Sequence, residues 1–325
     1  MMNDTNILLR LHKESSVGFY AIKAVLSALI ISFALVSVIG NLLVSAMFAR
    51  TQSLRTSTNY FITSMAVSDL LYGTTLCGLF SSSRLSVFDH HISSIGCKTG
   101  NYVLLVSYSV SIISLVLITV DKFIAVVFPM KVTFITGNIR AFLISTSWMI
   151  PAASCFPILY FSRVAHESEK PFLCVIGINK KILAFYTIFA FVFLYILPFL
   201  LIITLNIRIL KSLRRSNGVV FSTNAGSRNA RTRIEQNQRI TKILVSISVF
   251  FFFCWTGHYI YKVILQYFPT LLEDDRKEIL FILLYFLLPL ISTAFNPTIL
   301  FVFSTNYRRE LKDFLGGIIF MCKSF

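Results

Sequence analysis

Among the side chains of this sequence that could do chemistry, Asp69 stands out, because it is the one formal charge inside a long apolar stretch, residues 56–83. An ionisable group in the middle of a membrane span costs at least about 2.5 kcal/mol, so its presence points to a site. Read by itself, a protonated carboxyl there can hydrogen-bond to backbone or to Asn41. Catalysis finds no support. The five histidines (His12, His90, His91, His166, His258) are scattered, with no H-E-x-x-H pattern and no nucleophile elbow. The chain therefore reads as a non-enzyme. His258 and Lys262 stand four apart, on one face of a helix. They could meet an anionic headgroup or a peptide C-terminus, or Lys262 could simply snorkel to an interface.

The elements that must carry these residues follow from composition. Hydrophobic residues make up 56% of the 325, charged residues only 14%, and mean hydropathy is +0.76. A soluble domain carries about 25% charge to wet its surface, so a soluble enzyme, a disordered chain and a disulfide mini-domain are all excluded. Seven stretches are long enough to cross a bilayer as helices: 24–49, 56–83, 99–120, 141–162, 182–207, 243–261 and 279–303. Pro151, Pro157, Pro198, Pro289 and Pro297 fall inside them, which membrane helices tolerate where neighbours satisfy the freed carbonyls. Residues 1–23 are polar and show no cleavable leader, so the first span reads as a signal anchor. Loops 1–2, 3–4 and 5–6 with the C-terminus hold 18 Lys and Arg against 4 acidic residues, and the other side holds 12 against 9. The more basic side belongs in the cytoplasm, which places the N-terminus outside at the plasma membrane. Two features agree with that: the glycosylation sequon at Asn3, and Cys97 and Cys174 on the outer side, where a disulfide persists. The net charge of +16 is thus distributed by membrane side and implies no nucleic acid.

Motifs along the spans resemble those of the rhodopsin-like G-protein-coupled receptors over nearly the whole chain. They are Gly40-Asn41, then Met65-Ala66-Val67-Ser68-Asp69-Leu70-Leu71, and Cys97 25 residues before Lys122. Trp148, Pro198, Phe251-x-x-Cys254-Trp255 and Asn296-Pro297 follow in order. The resemblance implies an all-α membrane protein, a seven-transmembrane-helix bundle (24–303) between an extracellular N-terminus (1–23) and a short amphipathic eighth helix with a cytoplasmic tail (304–325). It implies a Cys97–Cys174 disulfide. It also implies a sodium ion as a negative modulator, held by Asp69 with Ser111, Ser292, Thr293 and Asn296. A ligand cavity would use Leu104, Leu105 and Tyr108 from the third span. His258, Tyr259 and Lys262 from the sixth, and Phe286 and Leu290 from the seventh, would complete it. Trp255, with Phe251 beneath, would be the switch, and Asp121, Lys122, Pro129 and Met130 would face a heterotrimeric G protein.

The same resemblance exposes departures. Asp121-Lys122-Phe123 replaces Asp-Arg-Tyr, Gly257 stands for the proline after Trp255, and Asn296-Pro297-Thr298-Ile299-Leu300 lacks the final tyrosine. The matching tyrosine of the fifth span is Asn206. A receptor that binds but couples weakly is therefore the main alternative, and a transporter, which would need related halves, the lesser one. Leu104 in place of an aspartate disfavours a monoamine, and no lysine between 279 and 307 can carry retinal. The expected ligand is a peptide or a small apolar or anionic molecule. Phosphate on the hydroxyls of loop 5–6 (Ser216, Ser222, Thr223, Ser227, Thr232) would recruit arrestin-type regulators. Residues 307–314 would lie along membrane lipids with Leu311 and Phe314 inward, and Cys322 would carry palmitate.

Overall fold

Hydrocarbon offers backbone amides no water partner, so a spanning chain must close its hydrogen bonds within helices. The computed structural model is built almost wholly of them. It describes residues 4–85, 90–128, 135–167, 170–222, 228–268 and 274–323. The helices are α1 (Asp4–Arg50), α2 (Ser57–Leu85), α3 (His90–Val127), α4 (Gly137–Cys155), α5 (Pro157–Phe161) and α6 (Lys180–Phe191). They continue with α7 (Leu197–Ser222), α8 (Arg228–Tyr267), α9 (Asp274–Leu280), α10 (Leu288–Phe303) and α11 (Thr305–Lys323). Wide π turns, Val192–Ile196 and Phe281–Leu287, join α6 to α7 and α9 to α10. Each pair is thus one span, as α4 and α5 are, and the helices form seven rods plus a terminal helix.

The spans extend beyond the apolar windows, because a helix does not stop at the membrane surface. α1 begins at Asp4, so the helix of the first rod starts well before residue 24. α7 and α8 reach to Ser222 and back from Arg228, and the fourth rod ends at Phe161, with Ser162 opening a strand. Among the described residues six of the rods are long and strongly apolar enough to cross a membrane by length and composition alone. α2 is the less apolar seventh, and it buries Ser64, Ser68 and Asp69 beside Phe61, Met65 and Leu76. α2 holds its place by packing against α1 and α3.

Burial is inverted relative to a soluble protein. Phe142, Phe185, Val249 and Phe253 are exposed on the outer faces, whereas Ser37, Asn41, Asp69, Ser111 and Asn296 are buried. At the end where β1 (Ser162–Glu167) and β2 (Lys170–Ile176) form an antiparallel hairpin, Asn101 of α3 donates to Ser162 at 3.3 Å. Lys23 of α1 pairs with Glu278 of α9 at 2.5 Å. At the other, basic end, Glu310 of α11 accepts from Ser53 at 2.9 Å, and the Arg50 guanidinium lies 5.2 Å from the Phe314 ring. α11 is longer than the expected 307–314 helix, and Leu311 and Phe314 do turn inward while Arg308, Arg309 and Lys312 are exposed. The side chain of Cys322 lies outside the described residues, as do Asn3, Pro129 and Met130.

Two glycines set how closely rods approach. A β-carbon on Gly40 would sit 2.7 Å from Cγ and 2.9 Å from Cβ of Pro297, and a proline ring cannot swing aside. A β-carbon on Gly257 would lie 2.7 Å from Leu288 Cδ1 and 3.2 Å from Leu284 Cδ2. The sixth rod therefore carries a close contact at the position where the family has a proline, and α8 runs through it without a break. Alanine is worth about 1 kcal/mol over glycine inside a helix, but the clash at Gly40 opposes it. Gly40→Ala should lower the melting temperature of the purified protein, and a neutral or raised value would show that α1 and α10 can part freely.

Candidate ligand and switch site

Asp69 is 1% exposed and fully engaged. Ser111 of α3 donates to its Oδ1 at 2.9 Å, and Asn296 of α10 donates Nδ2 to its Oδ2 at 2.7 Å. Asn41 is not its partner. Its Nδ2 donates instead to the carbonyls of Ser37 (2.8 Å) and Thr293 (3.1 Å), while Ser37 Oγ donates to Thr293 Oγ1 at 2.9 Å. Thr293 Oγ1 itself donates to the Leu290 carbonyl at 2.9 Å, so this hydroxyl belongs to the α1–α10 contact. Of the expected ion ligands, Ser111 and Asn296 touch Asp69, Thr293 bonds elsewhere, and Ser292 Oγ is buried without a partner. The Asp69 carboxylate with the Ser111 hydroxyl and the Asn296 amide beside it is an oxygen-bearing set of the kind a hard cation takes, and these residues fit one.

Towards the hairpin end the hub meets an aromatic stack. Trp255 is buried, with its ring centre 3.9 Å from Tyr108, 5.9 Å from Phe251, 5.8 Å from Tyr72 and 5.2 Å from His258. Tyr195 hydrogen-bonds Thr256 and donates to the Phe252 carbonyl at 3.2 Å, which ties the fifth and sixth rods together beside the stack.

Two of the span prolines have contacts of their own. Pro198 has no N–H for the turn behind it, and the Leu194 carbonyl four residues back accepts from Tyr108 Oη at 3.1 Å. Pro289 likewise leaves the Tyr285 carbonyl without a helical N–H, and the His258 ring stacks on Tyr285 at 4.7 Å. In each rod the π turn ends two residues before the proline, which widens the backbone where the ring would clash. Tyr108 Oη also lies 3.3 Å from Tyr259 Oη. One position expected to line a cavity therefore also completes the backbone.

The other expected lining residues divide. Leu104 and Leu290 are buried in the central core, and Phe286 packs edge-on against Phe80 at 6.1 Å. Tyr259 is buried and Lys262 half-buried with Nζ 6.0 Å from the Tyr259 ring centre. Leu105 faces away from this group, packing with Tyr102 and Trp148 on the side of α4. Rotation of 100° per residue separates it from Leu104. Cys97 is disulfide-bonded. The side chain of Cys174, in β2 opposite Val164, lies outside the described residues.

At the basic end, Asp121 accepts from Thr58 of α2 at 2.5 Å, and Lys122 beside it is half-buried. Asn206 is buried with its Oδ1 unpartnered, and Leu300 packs into the core. Tyr307 of α11 is buried, its hydroxyl unpartnered, and burial pushes its pKa up. Sequence reasoning missed Ser37, Thr58, Tyr195 and Tyr285. Only Ser37 left a signal, standing one turn before Asn41.

Residues 40–300 match the profile of the 7 transmembrane receptor (rhodopsin family). Neuropeptide Y receptor type 1 of Xenopus laevis is 27% identical over 289 residues, covering 85% of this chain and 76% of that receptor. Prokineticin receptor 2 of Rattus norvegicus is 27% identical over 269 residues, 79% of this chain and 68% of that one. The QRFP-like peptide receptor of Branchiostoma floridae is 24% identical over 290 residues, 86% and 74% of the two chains.

The Leu194 contact can be tested by a double-mutant cycle. An average interhelical hydrogen bond in a membrane protein is worth about 0.6 kcal/mol, but stripping a buried acceptor costs about 1–3 kcal/mol. Tyr108→Phe should fall in the larger range, read as a lowered melting temperature. Pro198→Ala restores an N–H behind the turn, so on that background the same replacement should cost less. Equal cost on both backgrounds would mean that the hydroxyl serves only Tyr259.

Proposed function

This chain belongs to the rhodopsin family of seven-transmembrane receptors, and from that premise we propose that it is a plasma-membrane receptor for an extracellular peptide. Its N-terminus and hairpin end lie outside, and its basic end meets a heterotrimeric G protein. The observation that carries this reading is the continuous path from the aromatic stack at Trp255 down to the Asp69 hub, with spans 1, 2, 3 and 7 joined there by buried polar contacts. A bundle that only filled a membrane would gain nothing from burying a carboxylate. Two of the relatives above are named for neuropeptide Y and for a QRFP-like peptide, which supports a peptide. Sidedness is supported by the 18 basic residues on one side against 12 on the other. Regulation by arrestin-type partners through loop 5–6, and contact of α11 with lipid headgroups through Arg308, Arg309 and Lys312, belong to the same reading.

Ligand and ion act as opposed weights. A peptide at the hairpin end shifts the balance only by its differential affinity for the active arrangement, and a sodium ion held by Asp69, Ser111, Ser292 and Asn296 favours the resting one. A ligand that binds the folded state raises its stability by RT ln(1 + [L]/Kd). The protein should therefore melt higher in sodium chloride than in N-methylglucamine chloride of equal ionic strength, and Asp69→Asn should erase the difference. A difference that survives in Asp69→Asn would make the carboxylate structural.

A second reading, of a receptor that binds but couples weakly, is favoured by one region. Lys122 offers a point charge where the family has a planar fork, and Asn206 and Leu300 supply no phenol to hold it. Lys122→Arg with Asn206→Tyr and Leu300→Tyr should raise nucleotide exchange on a purified G protein several-fold over the native chain. A triple variant that reaches the surface in normal amount with unchanged exchange would show that these positions do not limit signalling.

A further inference from the structure

The seam between loop 1–2 and α11 turns on one exposed hydroxyl. Ser53 lies in the single 3-10 turn Gln52–Leu54 and donates to Glu310 Oε1 at 2.9 Å. That carboxylate is 15% exposed, and the same oxygen lies 3.4 Å from the guanidinium of Arg309, which is 66% exposed. A second contact crosses the seam, the Arg50 guanidinium 5.2 Å from the Phe314 ring. The turn itself is thinly held. It buries Leu54, and it is closed by Leu54 N–H on the Thr51 carbonyl at 3.2 Å and Arg55 N–H on the Gln52 carbonyl at 3.0 Å. Ser53 has Arg50 three residues before it, Leu54 directly after and Arg55 beyond, and Ser53 and both arginines are exposed. Arginine three residues ahead of a serine, with an apolar residue behind it, is the spacing at which basophilic protein kinases take a hydroxyl. A hydroxyl that served only as a surface hydrogen bond would need no such flanks.

We propose that Ser53 is a phosphorylation site whose phosphate releases α11 from loop 1–2. The assignment goes beyond the receptor reading and rests on it only for sidedness, because ATP and kinases are cytoplasmic. In the reaction the γ-phosphoryl group of ATP passes to Ser53 Oγ and its bond to the β,γ-bridging oxygen breaks. ADP leaves, and the hydroxyl proton goes to the kinase's carboxylate base. The group that donated to Glu310 then carries a charge of about −1.5 to −2 and strong acceptor oxygens. Glu310, held at hydrogen-bond distance, is repelled. Arg50 and Arg55 on the same segment offer the phosphate charge-assisted partners, which draws Arg50 away from Phe314. Both contacts across the seam are lost together. The coupling also runs in reverse. A kinase takes its target in extended form, so the turn must open first, and the bond to Glu310 holds it closed. α11 in place therefore guards Ser53, and phosphate on Ser53 keeps α11 away.

The test uses the full chain in lipid nanodiscs, with ATP and the catalytic subunit of cyclic-AMP-dependent protein kinase. Peptide mass mapping should place phosphate on Ser53, and Ser53→Ala should remove the label from that segment. Phosphorylation should speed amide hydrogen exchange in the first half of α11 (Thr305–Lys323) by about three-fold or more. Ser53→Ala loses the bond without gaining charge, so its rise should be smaller. In Glu310→Gln the side chain still accepts from Ser53 but does not repel a phosphate, and phosphorylation should leave the exchange nearly unchanged. Glu310→Ala should be phosphorylated faster than the native chain, and an equal rate would overturn the guarding of Ser53 by α11. No phosphate on Ser53, exchange that is unchanged or slowed by phosphate, or an equal rise in Glu310→Gln would overturn the release. Slowed exchange would mean that the phosphate pairs with Arg309 and clamps α11 instead. Sidedness is read separately. An epitope tag after residue 325 should stain only permeabilised cells, and staining of intact cells would overturn the orientation whatever the nanodisc result.

Discussion

Polar groups inside a membrane protein have no solvent to fall back on, and the arrangement of this bundle follows from that scarcity. Asp69 is the costliest such group, and it is satisfied by residues 42 and 227 positions away in the chain. Asn296 can reach it only because α10 lies close to α2. That closeness in turn depends on α1, whose Gly40 admits the Pro297 ring and whose Ser37 and Asn41 hold Thr293. Four of the seven rods are thus tied together by one buried carboxylate and the contacts around it. Trp148 does comparable work at the edge, donating to Ser64 at 3.0 Å, while Ser114 donates to the same oxygen at 3.3 Å.

Pro198 and Pro289 extend the same accounting from side chains to backbone, since each removes a donor. The Leu194 carbonyl that Pro198 frees accepts from Tyr108 of a neighbouring rod, and beside Pro289 the His258 ring stacks on Tyr285. Both rings touch Trp255. The aromatic stack and the π turns of the fifth and seventh rods are therefore one construction.

Much of this was legible from residue types, because a membrane sorts residues harshly. The rods, the basic end and the inward turn of Leu311 and Phe314 follow from what hydrocarbon rejects, whereas the grouping of Asp69 with Ser111 and Asn296 comes from the resemblance to the receptor family. What escaped depends on rotation about a helix axis and on tertiary neighbours. Leu105 reads like Leu104 until a 100° step sends it towards Trp148. Thr58 gives no sign that it will hold Asp121, nor Tyr195 that it will reach Thr256. The hairpin Ser162–Glu167 with Lys170–Ile176 hides in a polar loop with no Gly-containing turn between its strands.

The two ends of the bundle differ in how completely they are built. Towards the hairpin several polar groups are tied in pairs, and Trp255 Nε1 and His258 Nδ1 are among the buried atoms without a partner. At the basic end the loose groups include Asn206 Oδ1, the Tyr307 hydroxyl and a lysine whose neighbouring aspartate is already bonded to Thr58. Such groups favour rearrangement, because a conformation that pairs them recovers the cost of leaving them unmade. The side chains available to pair are an amide, a phenol and an ammonium, none of which reproduces the planar fork of an arginine. A rearranged basic end therefore draws less of its stability from within this chain than one built around that fork.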